Sequence, residues 1–121
     1  MGRVVALVDD LFFQARIVET GRQVGVDLKT VKTGEELLTE LARADASLII
    51  VDLNARNGPL EAIEMMRDRA SQVPVVAFLS HVQTELAERA RAAGCTQVLP
   101  RSKFTQHLAT LLTQAKTGQS V

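Results

Sequence analysis

At 121 residues, 46% of them hydrophobic, the chain has the length of one ordinary domain, with room for one core and no second unit. Fourteen Lys and Arg balance fourteen Asp and Glu, which excludes a polycation that wraps nucleic acid or adheres to anionic lipid, so charge chemistry must be local. The lone Cys95 excludes an internal disulfide and, with only His81 and His107 for company, a zinc site; nothing resembles a leader core or a membrane span, and a reducing, cytoplasmic setting is expected.

The apolar run 4–8 is short and stops at the acidic pair Asp9-Asp10, as a buried strand does. Phe13, Ile17, Gly21 and Val24 then recur at three- and four-residue spacing until Gly25, which predicts a crossover helix. Residues 26–32 alternate apolar with polar and suit a strand with one exposed face or an edge position. Thr33 and Glu36 have the capping-box spacing ahead of Leu37, Leu38 and Leu41, and begin a second helix. The stretch 47–54 is the centre of the pattern: Ile49, Ile50 and Val51 favour a pleated strand buried on both faces, and the run ends in Asp52 and Asn54.

Turn residues fill 55–58, and Pro59 is suited to the first position of a helix carrying Leu60, Ile63, Met66 and Ala70. Residues 73–79 read as a fourth strand, with Pro74 tolerable near its start, ending at Ser80-His81. A helix with Leu86, Ala87, Ala90 and Ala93 closes at Gly94. A short strand, 97–99, leads through Pro100-Arg101-Ser102-Lys103 into a last helix bearing Phe104, Leu108, Leu111, Leu112 and Ala115. The domain is expected to span 1–116, with 117–121 a disordered tail.

Five strands alternating with five helices predict an α/β fold, a doubly wound parallel sheet with right-handed crossovers. Two arrangements compete, a flavodoxin-like order 2-1-3-4-5 and a smaller Rossmann-like sheet. Asp9-Asp10-Leu11-Phe12-Phe13 stands where the second needs its phosphate-binding glycines, so the flavodoxin-like order 2-1-3-4-5 is expected. In the first order, strands one and three are neighbours, and Asp9, Asp10 and Asp52 converge in the crevice beyond the carboxyl ends of the strands. Three carboxylates in so small a volume imply a bound cation or a functional reason, and oxygen donors of this kind suit magnesium. Ser80 and Arg101, with Lys103 nearby, come from the ends of strands four and five and are groups for holding an anion. Together these are the parts that phosphoryl transfer needs.

An acidic pair after strand one, an aspartate ending strand three, a hydroxyl ending strand four and a basic residue ending strand five resemble the response-regulator receiver domain, of CheY-like type. The resemblance covers nearly every element. It implies that Asp52 is the phosphoacceptor for a histidine kinase or phosphotransfer protein. It further implies that magnesium is held by Asp10, Asp52 and the Asn54 backbone carbonyl, with Asp9 assisting through water. Ser80 would bond a phosphoryl oxygen and Arg101 would stand for the family's lysine, with Lys103 as runner-up. A downstream protein would dock on the face of helix four, strand five and helix five. No catalytic turnover beyond slow autodephosphorylation, no nucleic acid, no membrane, and a monomer or weak homodimer are expected.

The chain also departs from that pattern. Arg101 is followed by Ser102 where the family has lysine and proline, Val98 replaces the switch aromatic, His81 follows the hydroxyl where a small residue is usual, and the 54–58 loop is short and lacks its customary proline. A planar guanidinium fork is not interchangeable with an ammonium. These departures motivate an alternative, a degenerate receiver that serves as a phosphorylation-independent interaction module. A magnesium phosphatase with an aspartyl nucleophile is the third reading. Its usual second acid, two residues on, is here Asn54.

Overall fold

Ten elements alternate along the chain: β1 (Arg3–Leu7), α1 (Leu11–Val24), β2 (Asp27–Val31), α2 (Gly34–Arg43), β3 (Leu48–Asp52), α3 (Pro59–Asp68), β4 (Val75–Leu79), α4 (Thr84–Ala92), β5 (Gln97–Pro100) and α5 (Arg101–Thr117). The structure is a computed structural model that describes residues 2–68, 73–80 and 83–118. All strand pairs are parallel and the sheet order is β2-β1-β3-β4-β5, the flavodoxin-like order expected from the sequence.

Because successive strand residues point to opposite faces, each central strand feeds two cores. Val5, Leu7, Ile49, Val51, Val75 and Ala77 face α2, α3 and α4, where Leu37, Ile63, Met66 and Ala90 cover them. Val4, Ala6, Leu48, Ile50, Val76 and Phe78 face α1 and α5, where Phe13, Ile17, Phe104, Leu108 and Leu112 do the same. Burial of each such Leu, Ile or Phe is worth roughly 1.5–3 kcal/mol, and the two cores together hold the sheet between its helical layers. The outer strand β2 alternates exposed and half-buried positions, as its sequence pattern requires of an edge.

Helix boundaries follow local chemistry. Thr33 caps α2 by accepting from the Glu36 amide at 3.0 Å, while Glu36 reaches back to the Lys32 amide at 2.8 Å, one residue before the position a capping box predicts. Gly25 ends α1 at φ 82°, a left-handed cap that favours glycine. At the other edge of the sheet no loop separates β5 from α5. Pro100 is the last strand residue and Arg101 the first of the helix, so Arg101 is not on a mobile connection. α5 continues one residue past Lys116, the expected end of the domain, to Thr117 and a left-handed Gly118. The Lys116 ammonium donates to the Val24 carbonyl at 2.9 Å, which fastens that last turn to α1. Ala70, expected in the third helix, and residues 119–121 of the expected tail lie outside the described residues.

Two contacts fix α2 at opposite edges of the sheet, the first at the amino edge and the second at the carboxyl edge. Arg3, at the start of β1, pairs with the buried Glu40 of α2, which also pairs with Arg43, and Arg3 donates to the Ala44 carbonyl at 3.2 Å. Gly34, at the start of α2, donates its amide to the Asn57 carbonyl at 2.7 Å, and a Cβ added there would lie 2.3 Å from the Gly58 carbonyl oxygen. α2 thereby sets the path of the loop that follows β3. Since the obstructing atom is backbone, Gly34→Ala must push the 55–58 loop away, and we expect a loss of about 1–3 kcal/mol in chemical denaturation. A variant as stable as the parent would show that the loop yields freely.

Candidate functional site

The alternation that builds the two cores also aims the site. Leu48 and Ile50 face α1 and α5, so Asp52, two residues on at the end of β3, points to the same side, and it is 2% exposed. Its Oδ1 accepts from the Asn54 amide at 2.9 Å. Asp10 follows β1 and is the N-cap of α1, with Oδ1 accepting from the amides of Phe12 at 3.0 Å and Phe13 at 3.2 Å. Both remaining oxygens turn to one cation: Arg101 places Nη1 3.4 Å from Asp10 Oδ2 and Nη2 3.6 Å from Asp52 Oδ2. Asp9 is turned elsewhere, its Oδ2 accepting from the Arg56 amide at 2.9 Å, with Arg56 Nε at 3.4 Å.

Arg101 rests on an aromatic floor. Its guanidinium carbon is 4.6 Å from the Phe13 ring centre and 5.7 Å from that of Phe78, within the range of cation–π attraction. Phe104 stacks on Phe78 at 4.4 Å between centroids and closes the cluster. The Arg101 Nε is buried without a hydrogen-bond partner, which sets that end of the half-buried guanidinium against the rings.

On the far side of Asp52, Asn54 links three segments. Its side-chain oxygen accepts from the Ser80 amide at 2.6 Å and its amide nitrogen donates to Gln83 at 2.8 Å, at the start of α4. Ser80 directly follows β4 and is exposed, with its backbone amide on Asn54. Lys103 is exposed on α5, two residues past the guanidinium that faces the acids. Val98 is half-buried and, with Leu79, Ala87, Arg91 and Pro100, lines a shallow cleft between α4 and β5. His81 lies outside the described residues.

No family model and no curated protein matches the chain. Solved structures match it closely in backbone. The chemotaxis protein CheY4 of Vibrio cholerae superposes with a TM-score of 0.82 at 21% identity, over 95% of this chain and 98% of that one. The phosphorylated cyanobacterial phytochrome response regulator RcpA gives 0.85 at 15% identity, over 98% and 96%. The beryllofluoride-activated receiver domain of NtrC4 gives 0.83 at 16% identity, over 99% and 100%. The fold is the response-regulator receiver fold.

Arg56 and the aromatic floor are the parts of this receiver-fold site that sequence reading misses. Arg56 carries no motif of its own, although its place four residues after Asp52 is a signal that it can reach the same edge. Phe13 and Phe78 read simply as core, because their second role appears only once Arg101 is set above them. Among the described residues no helix is long and apolar enough to cross a membrane.

The donor chemistry of the three carboxylates suits a divalent ion, but their arrangement does not. Both oxygens of Asp10 and both of Asp52 already face an N–H or the Arg101 fork, and Asp9 faces Arg56. Among the described residues no three His, Cys, Asp or Glu side chains are grouped to hold a metal ion. An ion joining Asp10 and Asp52 would have to displace the Arg101 fork.

The two acids nearest Arg101 are shifted in opposite directions. Burial pushes the Asp52 carboxyl above its ordinary value, opposed by the Asn54 amide and Arg101 and reinforced by Asp9 and Asp10. The Phe13 amide holds the Asp10 carboxyl below its ordinary value against its own desolvation, with help from the Phe12 amide and Arg101. A carboxyl lowered in the folded state adds stability that is present above the unfolded value of 3.8 and lost as pH falls through the folded one. Asp52 has the reverse sign: stability declines as pH rises from 3.8 through its raised folded value. At neutral pH we therefore expect Asp10→Ala to lower stability by about 1 kcal/mol through loss of the cap. Asp52→Asn should leave stability unchanged or raise it. Urea unfolding of both variants checks the pair, and marked destabilisation by Asp52→Asn would show that its ion pair with Arg101 outweighs burial.

Proposed function

We propose that the chain is a two-component signalling receiver in which Asp52 accepts a phosphoryl group from the phosphohistidine of a kinase or phosphotransfer protein. The observation that carries this reading is a nearly inaccessible carboxylate at the carboxyl end of β3 whose Oδ2 faces a guanidinium fork. Burial raises the basicity of that carboxylate and hence its nucleophilicity. In the transfer, Asp52 Oδ2 attacks phosphorus, the new O–P bond forms as the P–N bond breaks, and the imidazole leaves carrying a proton. Arg101 neutralises oxygen charge as it develops, and a planar fork is suited to two phosphoryl oxygens at once. Ser80 supplies its hydroxyl from the neighbouring strand end.

The acyl phosphate adds charge and acceptor oxygens beside Asp10, and Arg101 is then drawn from the carboxylates to the phosphoryl group. The surface of α4, β5 and α5 receives the downstream protein, and the cleft lined by Ala87, Arg91, Val98 and Pro100 lies on it. A second reading, an interaction module that needs no phosphorylation, is favoured by Arg101 holding Asp10 and Asp52 together in the unmodified chain and by the absence of a ring at position 98.

Incubation with acetyl phosphate, with and without magnesium, followed by intact-mass measurement separates the two. We expect a gain of one phosphoryl group that disappears in Asp52→Asn. No gain under either condition, from acetyl phosphate or from a phosphorylated histidine phosphotransfer domain, would leave the second reading in its place.

A further inference from the structure

The crevice at the carboxyl edge contains a cation of its own. Arg101 spans Asp10 and Asp52, one terminal nitrogen to each, at 3.4 and 3.6 Å. Arg56 covers Asp9. Three carboxylates against two guanidinia leave one net negative charge in the cluster, whereas three carboxylates alone would leave three.

We propose that Arg101 is the resident counter-ion of the Asp10–Asp52 pair and stands in for a divalent cation, so that the pocket keeps its shape and charge balance without loading magnesium.

Three features carry the inference. A magnesium ion joining the two acids would need the oxygens that face Arg101, at about 2.0–2.1 Å, because the opposite oxygen of each acid already accepts from backbone amides of Phe12, Phe13 or Asn54. The guanidinium is also anchored independently of the acids. It lies over Phe13 and Phe78, and its backbone is fixed as the first residue of α5, directly after the strand residue Pro100. An ammonium on a flexible stem could swing aside for an ion; a planar group packed on two rings with its Nε buried gives way less readily. Finally, a dication added to the cluster would convert a net charge of minus one to plus one and set the ion against the anchored Arg101 as well as the exposed Arg56. Magnesium gives up its hydration reluctantly and has little to gain from that exchange.

The test is a magnesium titration of the unmodified protein, followed by the backbone amide resonances of Asp10, Asp52 and Asn54 and by the thermal midpoint. It needs no phosphodonor, so its outcome is independent of whether Asp52 accepts a phosphoryl group. We expect no saturable change through the millimolar range for the parent chain. Arg101→Ala should gain saturable binding, tighter than the parent by about tenfold or more. Arg101→Met, which keeps an apolar stem over Phe13 and Phe78, serves the same purpose if the alanine variant does not fold. Saturable binding by the parent with shifts at Asp10 and Asp52 overturns the proposal. So does a failure of both substitutions to create binding, because something other than Arg101 would then exclude the ion.

Discussion

The charge balance between Arg101 and the two acids it spans is the constraint on which the carboxyl edge depends. Parallel strands deliver Asp9, Asp10 and Asp52 to the same edge whatever their mutual repulsion, because β1 and β3 are hydrogen-bonded neighbours. Two unit charges about 4 Å apart interact by about 4 kcal/mol at the effective dielectric of a protein surface, enough to distort loops if unopposed. The guanidinium converts that repulsion to attraction on both sides at once. It does not erase the cost of burial. Asp52 is still shifted upward, because desolvation outweighs the pull of Arg101, while the more exposed Asp10 is shifted downward by the amides it caps.

The aromatic floor explains why an arginine occupies this position so tightly. Phe13 comes from α1, Phe78 from β4 and Phe104 from α5, and their contact is the point where one core reaches the site. Rings beneath a guanidinium exclude water from one of its faces, which strengthens its field toward the carboxylates on its edge. A lysine has no plane to stack, so the exchange of lysine for arginine at the end of β5 changes what the floor can hold as well as the charge geometry. The same contact ties site to stability, since Phe78 and Phe104 are fully buried and Phe13 nearly so.

The strands and the acids at their carboxyl ends were legible because both follow from one local signal, short apolar runs that stop at polar residues. Asp52 ends β3, Asp10 follows β1 and Arg101 follows β5 as that signal implies. What was not legible depends on paths rather than runs. Arg56 meets Asp9 only because Gly34 pins the Asn57 carbonyl and so steers the loop between them. The need for a counter-ion could be read from the clustering of acids, but its source could not. A patterned sequence shows that charges converge, and only the placement of α5 against β5 shows that the opposing charge is already in the chain.

Asn54 completes the connection between Asp52 and the opposite face of the site. The residue accepts from the Ser80 amide, donates to Gln83, and hangs from Asp52 by its own amide, so a single side chain joins the ends of β3 and β4 to the start of α4. Gln83 makes no side-chain cap to the helix it precedes, and its oxygen accepts from Asn54 instead. Val98, half-buried on β5, offers no ring whose rotation could carry a change across the sheet. The hydrogen bonds between Asp52 and α4 run through Asn54 and involve no aromatic side chain. Two of those bonds share the Asn54 side-chain amide, which ties the end of β4 and the start of α4 to one group.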